Sequence, residues 1–147
     1  MDEYQEIATH ALEMSESVIV SAPTSSGKTT VALSALDLCL RRRGRAMFCA
    51  PIKALSNQMF AEFHCRFPGE VGLLTGDHCI APDSPILVAT TEIFRCLLRH
   101  DCEFIMHLQT AVFDEVHYMS DTERGSAWED SMVMLPPGVS IVCLSAT

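Results

Sequence analysis

The stretch that decides the fold is Ala22-Pro23-Thr24-Ser25-Ser26-Gly27-Lys28-Thr29, which lies between an apolar run at residues 17–22 and a helical pattern at residues 27–42. A strand, a loop of small residues and the start of a helix are together typical of a phosphate-binding loop. Backbone N–H groups of such a loop surround a β-phosphate, and the helix N-terminus adds the positive end of its dipole. We expect Lys28 to reach the β- and γ-phosphates and the hydroxyl of Thr29 to bind Mg²⁺. The alternative is an ordinary strand-to-helix turn whose serines and threonines cap the helix.

On both sides of this loop, short apolar runs alternate with amphipathic stretches of helical period. This alternation predicts an α/β fold with a mostly parallel sheet flanked by helices. The predicted strands are residues 17–22, 46–50, 71–74, 86–89, 111–114 and 140–144, and the predicted helices are residues 2–14, 27–42, 52–67, 92–99 and 123–135. The breaks between them are only turn-sized, so residues 1–147 are interpreted as a single domain.

The charge of the chain limits how it can bind nucleic acid. Its 147 residues include 10 lysines and arginines against 19 aspartates and glutamates, which gives a formal net charge of −9. Such a chain does not have the broadly basic surface that holds many proteins on nucleic acid. Any nucleic-acid site must therefore be local.

The cysteines and histidines indicate the cellular environment. The seven cysteines include no Cys-x-x-Cys pair, and the six histidines show no spacing typical of metal ligands. We therefore expect reduced core thiols and no structural metal, in a protein of the nucleus or cytoplasm. The sequence begins without a basic and apolar leader and has no apolar run of about 20 residues, so we expect neither secretion nor a membrane partner.

A second motif follows an apolar strand that ends in two adjacent carboxylates, Asp114 and Glu115. In phosphate-loop enzymes an acid at the carboxyl end of a strand helps to hold Mg²⁺, a role we assign to Asp114. Glu115 would then orient and deprotonate the water that attacks the γ-phosphate. Taken alone, this motif is equally typical of a strand that ends in solvated acids. Together with Lys28 it predicts a catalytic site.

The sequence Asp114-Glu115-Val116-His117 resembles the signature of the DExH-box helicases of superfamily 2. Other segments resemble motifs of the same family in the family's order, across essentially the whole chain: Ala50-Pro51-Ile52-Lys53-Ala54-Leu55-Ser56-Asn57-Gln58, Leu74-Thr75-Gly76-Asp77, Ala89-Thr90-Thr91-Glu92-Ile93, Glu123-Arg124-Gly125 and Ser145-Ala146-Thr147. The first of these is similar to the superkiller-type form, found in RNA helicases that feed RNA to the exosome.

The resemblance implies a RecA-like P-loop domain that uses ATP and Mg²⁺. It implies an RNA helicase that moves 3′ to 5′ from a single-stranded 3′ tail, in RNA processing or decay, with the exosome and its adaptor proteins as partners. It also implies residue roles. ATP would be bound by Gln5, Ala22, Pro23, Thr24, Ser25, Ser26, Gly27, Lys28 and Thr29, with the Gln5 amide on the adenine edge. Coupling of ATP state to a second domain would fall to His117, Ser145, Ala146 and Thr147.

Three segments are predicted to hold successive backbone phosphates of RNA, and together they are called the RNA rail. They are the helix start near Pro51 and Lys53, the turn at residues 75–77, and the helix start capped by Thr90 or Thr91, where N–H groups and hydroxyls can hold backbone phosphates. The predicted RNA-binding residues are Pro51, Lys53, Thr75, Gly76, Thr90, Thr91 and Arg95, with Arg99 one turn beyond the last. Each threonine taken singly is more typical of capping or a turn. The basic cluster at residues 41–45 is interpreted as a solvated helix end.

In this family the arginine fingers and the second RecA-like domain follow the Ser-Ala-Thr motif. The chain is therefore interpreted as a first motor domain that is truncated after this motif. Two other interpretations of the chain remain open: the ATPase domain of a DNA-unwinding DExH-box helicase, and a non-catalytic nucleotide-binding fragment. Trp128 is predicted to belong to the core and not to a base-stacking surface.

Overall fold

A computed structural model of the chain describes residues 2–23, 27–100, 102–120 and 125–146. Helices and strands alternate along most of it. In chain order the elements are α1 (Glu3–Glu13), β1 (Val18–Ser21), α2 (Lys28–Arg41), β2 (Arg45–Ala50), α3 (Lys53–Arg66), β3 (Val71–Leu74), β4 (Cys79–Ile80), β5 (Ile86–Thr90), α4 (Thr91–His100), α5 (Cys102–Met106), β6 (Leu108–Phe113), a 3₁₀-helix (Val116–Ser120), α6 (Gly125–Met134) and β7 (Ser140–Ser145).

The strands form one sheet in the order β1-β7-β6-β2-β5-β3-β4. Adjacent strands are parallel except for β4, which runs antiparallel to β3. At the centre of the sheet, Phe48 of β2 lies in register between Val88 of β5 and Val112 of β6. All three side chains are buried, as expected for strands of a parallel sheet that is covered on both faces.

Helices cover the two faces of the sheet in two groups. Buried residues of α1, α2 and α3 form one core with the sheet, and those of α4, α5 and α6 form the other. Alternate residues of β2 supply both cores: Phe48 packs edge-on against Phe63 of α3, while Met47 and Cys49 enter the opposite core. Trp128 of α6 is fully buried in that second core, so the prediction of a core role is confirmed.

The parallel order brings the carboxyl ends of six strands to one edge of the sheet. The ends of β1, β7 and β6 are neighbours there, and so are the ends of β2, β5 and β3. The chain continues from β2 into α3 and from β5 into α4, and these helices lie on opposite faces. A crevice is expected where adjacent strands send their helices to opposite faces. The sheet therefore provides a place for a ligand between the ends of β2 and β5, on the same edge as the ends of β1, β7 and β6.

The predicted α/β architecture is confirmed, with all six predicted strands and all five predicted helices present. The largest difference in their ends is at β6, which begins at Leu108 instead of residue 111. The segment before residue 111 alternates between buried and exposed residues, so a search for continuous apolar runs misses it. The sequence pattern also misses β4, α5 and the 3₁₀-helix, because elements of two to five residues are too short to show a period. Among the described residues, no helix is long and apolar enough to cross a membrane.

Candidate functional site

The predicted phosphate loop lies between the end of β1 and the start of α2. Gly27 precedes α2 with a φ of 84°, a left-handed conformation that favours glycine. The ammonium of Lys28 donates to the carbonyls of Ala22, at 2.6 Å, and Pro23, at 3.1 Å. It therefore lies directly over the carboxyl end of β1, where phosphate oxygens can replace these two acceptors. Thr29 lies in the first turn of α2, whereas the predicted ATP-binding residues Thr24, Ser25 and Ser26 lie outside the described residues.

Gln5 is buried and connects α1 to this loop. Its Oε1 accepts from the backbone N–H of Asp2 at 2.8 Å, and its Nε2 donates to the carbonyl of Gly27 at 2.9 Å. A Cβ at Gly27 would lie 2.5 Å from this Nε2, so the contact requires glycine. The amide nitrogen also donates to the Tyr4 hydroxyl at 3.4 Å, so both of its N–H groups have partners within the protein, while Oε1 keeps a second lone pair. Donating to the adenine edge therefore requires Nε2 to exchange one of these bonds. Nothing in the spacing of residues 5 and 27 predicts this link.

Asp114 follows β6 directly at the same edge of the sheet. Its N–H donates to the carbonyl of Cys49 at 2.9 Å, and its Oδ1 accepts from the N–H of Glu115 at 2.9 Å. Burial and the neighbouring Glu115 carboxylate raise the pKa of Asp114 from 3.8 to about 6, despite opposing contributions from the Glu115 N–H, Lys28 and His117. Two close carboxylates, one of them desolvated, form a site that a cation stabilises. Carboxylate and hydroxyl oxygens are the ligands that Mg²⁺ prefers, so Asp114 and Thr29 fit that ion.

His117 joins Glu115 to the end of β7. Its Nε2 lies 3.0 Å from Glu115 Oε2, and its Nδ1 accepts from the N–H of Ala146 at 3.4 Å. Because Nδ1 is an acceptor, the neutral ring carries its hydrogen on Nε2. The Nε2–H group then donates a hydrogen bond to Glu115. At the start of the phosphate loop, Ser145 accepts from the N–H of Ala22 through its carbonyl at 3.1 Å. Of the predicted coupling residues, His117, Ser145 and Ala146 thus lie beside the predicted ATP site, and Thr147 lies outside the described residues.

The predicted RNA rail surrounds a cleft between the starts of α3 and α4. This open cleft has a volume of about 600 Å³ and is lined by Pro51, Ile52, Lys53, Ala54, Gly76, Thr90, Glu92 and Ile93. Lys53 Nζ pairs with Asp77 Oδ2 at 3.0 Å. A Cβ at Gly76 would lie 3.3 Å from Lys53 Nζ, so glycine leaves room for the ammonium beside the turn.

Two of the predicted rail threonines support the walls of the cleft. Thr75 Oγ1 accepts from the N–H groups of Asp77 and His78, at 3.3 and 3.1 Å, and thereby closes the turn after β3. Thr91 Oγ1 donates to the carbonyl of Ala50 at 3.5 Å and ties the start of α4 to the end of β2. Both threonines are buried. Their hydroxyls hold the backbone that surrounds the cleft.

Arg95 lies one turn beyond the cleft on α4. Its guanidinium pairs with Asp130 of α6, as does that of Arg99. In the basic cluster, Arg41 pairs with Asp37 and Arg42 donates to the carbonyl of Glu13, at the opposite end of α2 from the phosphate loop. Their partners are groups of the protein, as expected for a helix end.

Comparison with known proteins identifies the family. Residues 2–147 match the model of the DEAD/DEAH box helicases. The chain belongs to this helicase family. It is 48% identical over 146 residues to mouse Superkiller complex protein 2, 46% identical over 147 residues to the ATP-dependent RNA helicase mtr4 of Schizosaccharomyces pombe, and 44% identical over 147 residues to the DExH-box ATP-dependent RNA helicase DExH10 of Arabidopsis thaliana. These relatives confirm the superkiller-type resemblance.

The helicase chain covers only a small part of each relative. The alignments include 99–100% of this chain but 12% of the mouse protein, 13% of the yeast protein and 15% of the plant protein. Solved structures confirm the fold. The helicase MrfA, bound to DNA and AMPPNP, has a TM-score of 0.79 and 19% identity, with 100% of this chain and 24% of that chain covered. The UvsW helicase of bacteriophage T4 has a TM-score of 0.75 and 19% identity, with 99% and 52% covered.

Proposed function

We propose that this chain is the ATP-binding motor domain of an ATP-dependent RNA helicase that moves 3′ to 5′ and acts with the exosome in RNA processing or decay, in the nucleus or cytoplasm. The observation that carries the proposal is the placing of Lys28, Asp114, Glu115 and His117 on one edge of the sheet beside the cleft that Lys53 lines. Relatives named "ATP-dependent RNA helicase mtr4" and "Exosome RNA helicase MTR4" support the substrate and the partner.

Phosphate binding begins with the two carbonyl bonds of Lys28. When the nucleotide enters, the ammonium exchanges the carbonyls of Ala22 and Pro23 for β- and γ-phosphate oxygens, which are stronger, charged acceptors. Asp114 and Thr29 would hold Mg²⁺, which neutralises developing charge on the phosphates. Gln5 keeps Gly27 in the conformation that starts α2.

Water activation falls to Glu115. His117 donates to Oε2 of this carboxylate and fixes its orientation, so we assign the other oxygen, Oε1, to the attacking water. Glu115 takes the proton from the water as the water oxygen bonds to the γ-phosphorus and the bond from that phosphorus to the β–γ bridging oxygen breaks, which releases ADP and phosphate. The bond from His117 to the N–H of Ala146 links this base to the end of β7.

The cleft suits the sugar-phosphate backbone of a single strand. Helix α3 begins at Lys53 and helix α4 at Thr91, so N–H groups at both helix starts are directed to the same space. Helix N-termini bind anions through these groups and the helix dipole. Together with the ammonium of Lys53 they give a local phosphate site on a chain of net charge −9. Such contacts hold a strand in place without reading its sequence.

Crossed binding measurements test the two sites. Calorimetry with Mg²⁺·ATP and fluorescence anisotropy with labelled oligouridine are applied to wild type, Lys28→Ala and Lys53→Ala. We expect Lys28→Ala to lose ATP binding and retain RNA binding, and Lys53→Ala to weaken RNA binding and retain ATP binding. The control is Arg43→Ala, which removes an exposed cation after α2. Equal ATP affinity in wild type and Lys28→Ala, or RNA affinity that Lys53→Ala and Arg43→Ala lower equally, would contradict the proposal.

A further inference from the structure

Two arginines of α4 meet at one carboxylate of α6. Arg95 Nη1 lies 3.4 Å from Asp130 Oδ2, and Arg99 Nη2 lies 3.6 Å from the same oxygen. The exposed fractions of the three side chains are 29%, 52% and 42% for Arg95, Arg99 and Asp130. The cluster is therefore at the surface, and solvent or a ligand can reach it.

The charges of this cluster are unequal. Arg95 and Arg99 are four residues apart on a helix, where like charges repel each other. Asp130 offsets one of the two positive charges, so these three side chains together keep a charge of about +1, and Glu92 adds one carboxylate three residues before Arg95 at the cleft. The planar guanidinium forks of arginine match phosphate oxygens as well as carboxylate oxygens. One oxygen of Asp130 lies within 3.6 Å of both guanidiniums, so a single anionic oxygen can contact the two arginines at once.

The cluster continues the line of the cleft. Glu92 lines the cleft, Arg95 is three residues further along α4, and Arg99 is four residues beyond Arg95. Residues three and four apart are neighbours on the surface of a helix. A strand that leaves the cleft along α4 therefore meets Arg95 first and Arg99 second.

We infer that Arg95 and Arg99 together form a binding site for backbone phosphates of single-stranded RNA, and that Asp130 occupies this site in place of a phosphate until RNA displaces it. This inference rests on the proposed function, because it extends the RNA track that the cleft begins. Asp130 and both arginines are partly exposed, and ion pairs of this length and exposure are weak. Exchange of the carboxylate for a phosphate, which carries a similar charge, therefore requires little reorganisation.

The test removes the charge of Asp130, with Asn keeping the shape of the side chain and Ser shortening it. Anisotropy with labelled oligouridine is measured at increasing salt for wild type, Asp130→Asn and Asp130→Ser, in the 147-residue chain. We expect both variants to bind RNA about two- to fivefold more tightly than wild type at low salt, because RNA no longer competes with a carboxylate. We also expect a steeper dependence of affinity on salt, since more positive charge faces the phosphates. The matched control is Asp37→Asn, which frees Arg41 at the far end of α2 and is expected to leave RNA affinity unchanged.

A variant without the two arginines tests whether the gain in RNA affinity depends on them. In Arg95→Ala/Arg99→Ala, adding Asp130→Asn should no longer increase RNA affinity. Weaker RNA binding by Asp130→Asn, an equal gain in Asp37→Asn, or a gain that persists without the arginines would each overturn the inference. If Lys53→Ala weakens RNA binding but Asp130→Asn has no effect, the inference fails and the proposed function stands. If no variant and no wild-type chain binds RNA, both fail.

Discussion

Asp114 is predicted to bind Mg²⁺ in its ionised form, but its protonated form is the one that stabilises the fold. Burial and the charge of Glu115 raise its pKa from 3.8 to about 6, so the folded state holds the proton more tightly than the unfolded state. The resulting stabilisation is complete below about pH 4 and is lost as the pH rises through 6. A shift of about 2 pH units corresponds to about 3 kcal/mol. Near neutral pH, ionised Asp114 therefore lowers the free energy of unfolding of the Mg²⁺-free protein.

We predict that Asp114→Asn stabilises the Mg²⁺-free protein by up to about 3 kcal/mol near pH 7 and has little effect near pH 4. The amide keeps the oxygen that accepts from Glu115 N–H and removes the charge. Urea unfolding at the two pH values, with chelator present, measures the difference. Asp83→Asn, at an exposed position, is the control. A stabilisation that is the same at both pH values would show that ionisation of Asp114 is not its cause.

Gln5 has two roles that nucleotide binding can separate. Its amide supports the phosphate loop through Gly27, and the family resemblance also implies that it reads adenine. We predict that Gln5→Ala weakens binding of both ATP and GTP, because the support for the loop is lost whichever base is bound. Any additional loss for ATP measures the adenine contact. Calorimetry with the two nucleotides decides between the roles, and GTP affinity unchanged by Gln5→Ala would exclude the support role.

The hairpin of β3 and β4 depends on close backbone packing. A Cβ at Gly72 would lie 2.2 Å from the carbonyl oxygen of Ala81, which is backbone and cannot rotate away. We predict that Gly72→Ala lowers the free energy of unfolding by about 1–3 kcal/mol, the usual cost of overpacking. Denaturant unfolding measures this change. Because β3 leads into the turn of Thr75 and Gly76, RNA affinity should fall as well.

The control for this prediction is Gly44→Ala. The three atoms nearest to a Cβ at Gly44 all belong to the side chain of Gln109, which can adopt another rotamer. The cost should therefore be smaller than at Gly72. An equal or larger loss of stability in Gly44→Ala would show that contact with backbone is not what distinguishes the two positions.

Elements whose stability comes from burial were the ones predictable from sequence. The strands that end at Ala50, Thr90 and Phe113 are buried on both faces, so continuous apolar runs identify them in the sequence. The ends of these runs also predict which polar residues lie at the carboxyl edge of the sheet. Links between distant segments were not predictable. The bond of Gln5 to Gly27 and the pairing of Arg95 with Asp130 join residues 22 and 35 positions apart. These residues come together only when the helices pack on the sheet, and no local sequence pattern predicts that contact.

The end of β2 connects the two candidate sites. The carbonyl of Cys49 accepts from the N–H of Asp114 at the nucleotide site, and the carbonyl of the next residue, Ala50, accepts from Thr91 Oγ1 at the RNA cleft. Asp114 and the start of α4 thus share adjacent peptide groups of one strand. We therefore expect a shift of either site to change the hydrogen bonds that the other site makes with β2.

We predict that Mg²⁺·ATP and single-stranded RNA each change the affinity of the chain for the other by the same factor, as thermodynamic linkage requires. Coupling between sites is typically about 1–3 kcal/mol, so the factor should lie between about 5 and 150. Thr91→Val keeps the shape of the side chain and removes the bond to Ala50, so it should lower the coupling factor, whatever it does to the separate affinities. Calorimetric titration of ATP with and without oligouridine gives one value of the coupling factor. Titration of oligouridine with and without ATP gives a second, independent value. A coupling factor that Thr91→Val leaves unchanged would mean that the two sites communicate by a route other than the end of β2.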